Sequence, residues 1–144
     1  MQKKISICLV MVLAVLLTIA IVYATDEVRE EQLRWTGINS CATSLNVKSV
    51  GAFKTTLTCY GSTTVYDGYY AGVIVYLETL DSDNDWVTVT AWSDYDPDCA
   101  SVCEDYKVSA GQYRLTTTHR SYTSSDYSVP LETHHMTSNT VYTH

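Results

Sequence analysis

One stretch decides the fold: Val73-Ile74-Val75-Tyr76-Leu77-Glu78-Thr79-Leu80-Asp81-Ser82-Asp83-Asn84-Asp85-Trp86-Val87-Thr88-Val89-Thr90-Ala91-Trp92. Two runs of β-branched and aromatic residues surround a polar loop, residues 81–85, and this pattern predicts a β-hairpin. Side chains in a strand alternate between two faces, so every second residue of each run faces the core. The predicted pairs on the core face are Val75 with Ala91, Leu77 with Val89, and Thr79 with Val87. A slip of one residue in the pairing would exchange the two faces.

The other face of this hairpin carries aromatic side chains. Tyr76, Trp86 and Trp92 are predicted to share it, because they alternate with the core positions. An array of exposed aromatic rings can stack on sugar rings or dock a protein partner. The alternative is that another segment covers the rings, or that they pack together as cross-strand pairs.

The N-terminal segment is typical of a secretory signal peptide. Lys3 and Lys4 precede an apolar run, residues 5–22, and Val22-Tyr23-Ala24 resembles a small-residue cleavage site. We therefore expect a signal peptide at 1–24, a flexible lead at 25–34 and one domain at 35–144 of a secreted, extracellular protein. The alternative is an uncleaved membrane anchor, because the apolar run approaches the ~18–20 residues that span a bilayer. Either way, membrane contact is expected only through this segment.

The overall charge is acidic. The chain contains 9 basic and 16 acidic residues, and two of the basic ones belong to the signal segment. Nucleic acid is not expected as a partner, because binding a phosphate backbone needs clustered Lys and Arg. A cationic partner or a metal ion stays compatible with this charge. The abundance of Thr, Ser, Tyr and Val in the mature part favours strands.

Four cysteines follow the signal segment: Cys41, Cys59, Cys99 and Cys103. An even number in a small exported domain predicts two disulfides, for which three connectivities exist. The first two lie symmetrically about a turn expected at Val50, which favours Cys41–Cys59 and leaves Cys99–Cys103. A zinc site is the alternative, but no Cys-x-x-Cys motif or suitably spaced His supports it.

The spacing of strands and turns indicates the fold class. Six to eight short segments with strand character follow one another, with turns at roughly 8–12-residue spacing, which predicts an all-β, two-sheet Ig-like sandwich of antiparallel strands. Tyr113 follows the Gly111-Gln112 turn at the start of one predicted strand. It is either a tyrosine corner, whose hydroxyl caps a nearby backbone group, or an ordinary cross-strand aromatic.

The order of the motifs resembles a known group of proteins. The motifs are Trp35, Ser40-Cys41-Ala42-Thr43-Ser44-Leu45, Thr56-Leu57-Thr58-Cys59, Val75-Tyr76-Leu77-Glu78, Trp86-Val87-Thr88-Val89-Thr90-Ala91-Trp92-Ser93, and Tyr106-Lys107-Val108-Ser109-Ala110-Gly111-Gln112-Tyr113-Arg114-Leu115. Between Trp35 and Tyr122 the chain is similar to small secreted Ig-like β-sandwich proteins of Gram-positive bacteria, a domain family of unknown function. The resemblance implies an exported sandwich and supplies no catalytic residues. The acidic loops are elaborations outside it.

Two acidic groups could bind a cation. One is the hairpin tip with Asp81, Asp83 and Asp85, and the other surrounds Cys99. The predicted calcium ligands of the second group are Asp94, Asp96, Asp98 and Glu104. The alternative is that these residues serve turns and solubility. About 8 strand residues at ~3.3 Å each separate the two groups by about 25 Å, so they cannot form one catalytic carboxylate pair.

No catalytic centre emerges from the sequence. The four histidines are scattered, His119 is expected at or near the surface, and no Gly-x-Ser-x-Gly motif is present. We therefore expect no enzyme activity and no cofactor other than the calcium considered above. The prediction is a secreted binding module for an unknown protein or glycan at the cell surface. The alternatives are a small secreted effector or antagonist acting on a cell envelope, or a carbohydrate-binding module.

Overall fold

A computed structural model describes residues 35–144, which form eight strands and no helix. The strands are β1 (Ile38–Val50), β2 (Thr55–Val65), β3 (Tyr70–Leu80), β4 (Trp86–Asp96), β5 (Cys99–Val108), β6 (Gly111–Tyr122), β7 (Pro130–Thr137) and β8 (Val141–Thr143). The predicted signal peptide, 1–24, and lead, 25–34, lie outside the described residues. Within the described residues, no helix is long and apolar enough to cross a membrane.

The strands form two antiparallel sheets that face each other. One sheet has the order β1-β2-β5, and the other has the order β4-β3-β6-β7, with β8 beside the start of β6. Lettered along the chain as A, B, C, C′, E, F and G, strands β1 to β7 give A-B-E against C′-C-F-G. This is the immunoglobulin arrangement with C′ added to the GFC sheet and strand D missing. The predicted all-β sandwich is confirmed.

Alternating burial along the central strands builds the core. β2 alternates buried and half-buried residues over its whole length, and the inward rows of β3 and β6 meet it from the other sheet. The two sheets approach closely at Gly61, because a Cβ there would lie 2.7 Å from Cγ2 of Val75 in the opposite sheet. The fully buried aliphatic side chains are Ile38, Leu45, Leu57, Val73, Val75, Leu77 and Leu115.

The central hairpin forms as predicted at its tip and departs from the prediction further along. Thr79 lies opposite Val87, as expected, but a register shift follows between Leu77 and Glu78. Val89 is the extra residue, and beyond it Val75 pairs with Trp92 rather than with Ala91. A bulge places one more residue on one strand than on its partner, so it exchanges the faces of the rest of β4. The predicted core position Val89 is 39% exposed, and Val87, which keeps its predicted place opposite Thr79 near the hairpin tip, is nevertheless 41% exposed.

The predicted disulfide Cys41–Cys59 is wrong, because the first hairpin turns later than expected. Its turn spans 51–54 and is closed by Gly51 N donating to Lys54 O at 2.9 Å. Cys41 therefore lies opposite Thr63. An offset of four residues corresponds to about 13 Å along a strand, well beyond the ~7 Å Cα separation that a disulfide tolerates.

The predicted disulfide Cys99–Cys103 is also wrong. The expected loop is an extended strand, because β5 pairs with β2 from Thr55–Val108 to Thr64–Cys99. Cys103 follows Cys99 by four residues of extended chain, which separates the two by about 13 Å. All four cysteines of the described part are free thiols, with Cys59 buried and Cys99 and Cys103 exposed.

Tyr113 forms a tyrosine corner, which is one of the two roles predicted for it. Its hydroxyl donates to the carbonyl oxygen of Ser109 at 3.2 Å. Tyr113 is buried at the start of β6, and the bond fixes the β5–β6 connection against that strand. The position and the bond are those of the corresponding corner in immunoglobulin-like sandwiches.

Carboxylates join the two sheets at both open edges. On one side, Asp94 of β4 accepts the backbone N–H of Ser101 in β5 at 2.8 Å. On the other, Glu132 of β7 accepts N–H donors from three successive residues at the start of β1 (Thr36, Gly37 and Ile38). Unpaired N–H groups on an edge strand attract other chains, and these side chains occupy several of them.

Candidate binding face

Two of the three predicted aromatic residues lie on the outer face of the five-stranded sheet. Tyr76 and Trp86 point outward from β3 and β4 and are half-buried. Trp92 does not join them. The bulge at Val89 turns Trp92 into the sandwich, where its ring contacts Tyr106 of the opposite sheet with ring centroids 5.9 Å apart. The predicted aromatic triad is therefore split between the surface and the interior.

One end of this outer face is a closed charge network around Trp86. The guanidinium carbon of Arg114 lies 4.2 Å from the centre of the Trp86 ring, which is a cation–π contact. Nε of Arg114 also donates to Oε2 of Glu78 at 2.7 Å. The hydroxyl of Thr116 donates to the same oxygen at 2.9 Å. The charge of Arg114 is thus neutralised, and the Trp86 ring is held in one orientation.

The other end of the outer face is a cluster of four tyrosines, which was not predicted from the sequence. The members of this tyrosine cluster are Tyr70, Tyr95, Tyr122 and Tyr127, with neighbouring ring centroids 5.1 to 6.2 Å apart. Gly72 makes room for it, because a Cβ there would lie 2.9 Å from both the Tyr95 and Tyr122 rings. Tyr127 comes from the β6–β7 loop with a φ of 51°, so strand periodicity gave no signal for it.

The surroundings of the tyrosine cluster favour the protonated hydroxyl of Tyr127. Burial, followed by the negative charge of Asp96, raises the pKa of Tyr127 above its ordinary value. Tyr95 remains 40% exposed at the surface of the cluster. The exposed side chain of Tyr95 offers both a flat ring and a hydrogen-bonding hydroxyl to a ligand.

Arg120 lies beside the tyrosine cluster on the outer face. A single cross-strand row on the outer face runs from Tyr95 through Gly72 and Arg120 to Thr133. Arg120 is half-buried, and its Nε atom is buried without a hydrogen-bond partner among the described residues. This arginine differs in that respect from Arg114 on the same strand.

The acidic groups serve turns and edges in the structure. Asp81 accepts the backbone N–H groups of Asp83 and Asp85, each at 2.9 Å, and so closes the hairpin tip. Asp96 accepts N–H from Asp98 and Cys99 at 3.0 and 3.3 Å.

The predicted calcium ligands Asp94, Asp96, Asp98 and Glu104 do not converge. Asp94 is engaged at the β4–β5 edge, and Glu104 lies opposite Cys59 along β5. Over residues 35–144, no three His, Cys, Asp or Glu side chains form a group that could hold a metal ion.

His119 is fully buried, contrary to the expectation that it lies near the surface. Its Nδ1 lies 2.9 Å from the hydroxyl of Thr63, and its Nε2 lies 2.7 Å from that of Thr117 and 3.2 Å from that of Thr43. Burial lowers its pKa to about 4, and the nearby imidazoles of His134 and His135 add to that effect. A neutral imidazole held by hydroxyls between two sheets is a structural group, which hydrophobic periodicity could not predict.

No protein-family model matches this chain, and no curated protein matches it.

Proposed function

We propose that this chain is a secreted, non-catalytic binding module that recognises a glycan or protein at the cell surface. The outer face of the five-stranded sheet is the proposed contact surface. The observation that carries the proposal is the composition of that face, which combines Tyr76, Trp86, Arg114 and Arg120 with the tyrosine cluster. Tyrosine, tryptophan and arginine are the residue types enriched in the energetic centres of binding surfaces.

The arrangement of this face also supports binding. The Arg114–Glu78 pair and the contact with Trp86 hold long side chains in fixed positions before any ligand arrives. Ordering such side chains costs roughly 0.5–1.5 kcal/mol each when it happens only on binding. A face that is ordered in advance avoids that cost.

The outer face of the three-stranded sheet has a different character. Its central row in β2 is Thr56, Thr58, Tyr60, Ser62 and Thr64. Apart from Tyr60 these are small hydroxyl side chains, which provide little contact area and are weak contributors to binding free energy. The aromatic face is therefore the better candidate, and the other sheet supplies a control.

The signal segment supports the proposed location. Export would bring the domain to the cell surface, and the acidic composition disfavours nucleic acid as its partner. The proposed partner is therefore an envelope or extracellular component.

Site-specific photo-cross-linking tests the proposal. A cross-linking amino acid replaces Ala91, which is exposed and lies opposite Tyr76, or Ser62 on the outer face of the other sheet as the matched control. After incubation with isolated cell envelopes, cross-linked products should form from position 91 and not from position 62. Equal labelling from both positions, or labelling from position 62 alone, would contradict the proposed surface.

A further inference from the structure

Arg120 carries an unsatisfied buried donor. Over residues 35–144, two buried side-chain polar atoms have no hydrogen-bond partner: the hydroxyl oxygen of Thr55 and Nε of Arg120. The hydroxyl is a neutral group, whereas a guanidinium is a charged one. Leaving a buried donor of a charged group unpaired costs more than leaving a neutral one. An uncompensated donor in this position calls for an acceptor.

Arg114 shows what a satisfied arginine looks like on the same strand. Both residues point outward from β6, six positions apart, toward the same face. Arg114 has the carboxylate of Glu78 at 2.7 Å, whereas Arg120 has Gly72 and Thr133 as its cross-strand neighbours. Neither neighbour can supply a carboxylate. No described residue pairs with the guanidinium of Arg120, so an external carboxylate would supply the countercharge that Glu78 supplies to Arg114, binding from the solvent side because Nε itself is buried.

We propose that Arg120 is a ligand-binding residue and that its ligand is an acidic saccharide, a sugar chain with carboxylate groups. This inference rests on the proposed function and specifies the ligand class for the same face. A planar guanidinium binds a carboxylate through two parallel N–H···O bonds, which gives orientation as well as affinity.

The surroundings of Arg120 favour a sugar. Tyr95 lies two strands away in the same cross-strand row, about 10 Å between Cα atoms at the usual strand spacing. Its ring is 40% exposed, so a sugar ring can lie against it while a carboxylate reaches Arg120. The exposed side chains of Ser93 and Thr133 add hydroxyls on the same face. Peptides often dock by adding a strand to a sheet edge, and Arg120 lies on an interior strand of the sheet.

Calorimetric titration with defined oligosaccharides tests the inference. The probes are an oligogalacturonate, its methyl ester, which removes the charge, and a sulfated neutral oligosaccharide of similar length. The protein should bind the free acid and lose at least tenfold affinity for the methyl ester. Arg120→Gln should weaken binding of the acid at least tenfold, and Arg120→Lys should fall between the two because it keeps the charge and loses the fork. Lys107→Gln makes the same charge change on the other sheet and should leave binding unchanged.

Several other results would overturn the ligand class, the role of Arg120 or the proposed function. Equal binding of the acid and its methyl ester, tighter binding of the sulfated probe, or binding of a poly-glutamate peptide in preference to the saccharide would overturn the acidic-saccharide assignment. Equal binding by wild type and Arg120→Gln, with both shown to be folded by their melting temperatures, would overturn the role of Arg120. In these cases the proposed function stands if position 91 still cross-links to envelopes. If position 91 does not cross-link and no probe binds, the proposed function fails as well.

Discussion

Nδ1 of His119 lies 2.9 Å from the hydroxyl oxygen of Thr63, and that hydroxyl donates to the carbonyl oxygen of Gly72 at 3.0 Å. His119 belongs to β6 and Thr63 to β2, so the contact joins the two sheets through the middle of the core. Because the Thr63 hydroxyl donates to Gly72, it accepts the proton of Nδ1, and Nε2 is left as an acceptor facing the hydroxyls of Thr43 and Thr117. The hydrogen-bond pattern fits a neutral imidazole and would be broken by a second proton.

The protein should lose stability as the pH falls from about 6.5 to about 4. Burial lowers the pKa of His119 from 6.5 to about 4 in the folded state, so the unfolded chain takes up the proton first. A difference of this size corresponds to about 3 kcal/mol of unfolding free energy. The loss begins below pH 6.5 and levels off below pH 4, where both states are protonated. Urea denaturation at a series of pH values measures it.

Two variants separate His119 from other titrating groups. His119→Gln should be less stable at pH 7 and should lose the slope between pH 6.5 and 5. His144→Gln removes an exposed imidazole and should keep that slope. An unchanged slope in His119→Gln would show that another group titrates in this range.

Glu132→Ala should destabilise the protein by about 2 kcal/mol, because hydrogen bonds to a charged acceptor contribute roughly 1.5–3 kcal/mol. Burial pushes the pKa of Glu132 upward, but the N–H groups of Thr36, Ile38 and Gly37 outweigh it and leave the pKa lowered. Hydrogen exchange should speed up first at the amides of residues 36–38. The control is Glu104→Ala, an exposed carboxylate on β5, which should change the unfolding midpoint little. Similar effects of both variants would contradict the role of Glu132 at this edge.

Trp92→Ala should cost about 3 kcal/mol, since removing a large aromatic from a core typically costs 3–5 and Trp92 is only partly buried. Trp86→Ala should cost about 1 kcal/mol, because it removes a surface cation–π contact. Guanidinium denaturation of the two variants compares them directly. The reverse order of stability would mean that the bulge at Val89 is absent in solution.

Gly61→Ala should destabilise the protein by about 1–3 kcal/mol, the usual range for overpacking. The new methyl group would meet Val75 Cγ2 at 2.7 Å and Thr117 Cγ2 at 3.3 Å, on the opposite sheet. Ser62→Ala changes the adjacent outward position and should be nearly neutral. A neutral Gly61→Ala, measured by thermal melting, would show that the sheets are further apart at this point than described.

Alkylation of the native domain, residues 35–144, should label Cys99 and Cys103 and leave Cys59 unmodified. The first two thiols are exposed, whereas burial raises the pKa of Cys59 to about 12. Burial also raises the pKa of Cys41 to about 11, so this half-buried thiol should react slowly. Mass spectrometry after iodoacetamide treatment should show two rapid additions in the native state and four after unfolding. Fewer than four additions to the unfolded, unreduced chain would reveal a disulfide and contradict the strand registers of β1 and β5.

The features that sequence periodicity determines were predicted well. Strand β3 places Val75 and Leu77 inward and Tyr76 outward, as the alternation indicated, and Tyr113 caps Ser109 as one reading of its turn proposed. These depend on local spacing and on side-chain chemistry at a single turn. Both features are therefore independent of a register shift elsewhere in the chain.

The features that depend on one residue of register were not predicted. The bulge at Val89 moved Trp92 across the sheet, and a turn shifted from Val50 toward Lys54 separated Cys41 from Cys59. Neither shift leaves a signature in an isolated strand. His119 was missed for a different reason, because polar residues are buried only where distant strands supply partners.

The bulge at Val89 has a practical result. One strand carries a tryptophan on each side of the sheet, with Trp86 at the surface beside Arg114 and Trp92 inside against Tyr106. In a background where Trp35 is replaced by Phe, each indole can serve as a separate optical reporter. Emission from Trp86 should change when a ligand binds at the outer surface, and emission from Trp92 should change when the two sheets separate. Fluorescence of the two reporters can therefore distinguish recognition from unfolding in a single sample.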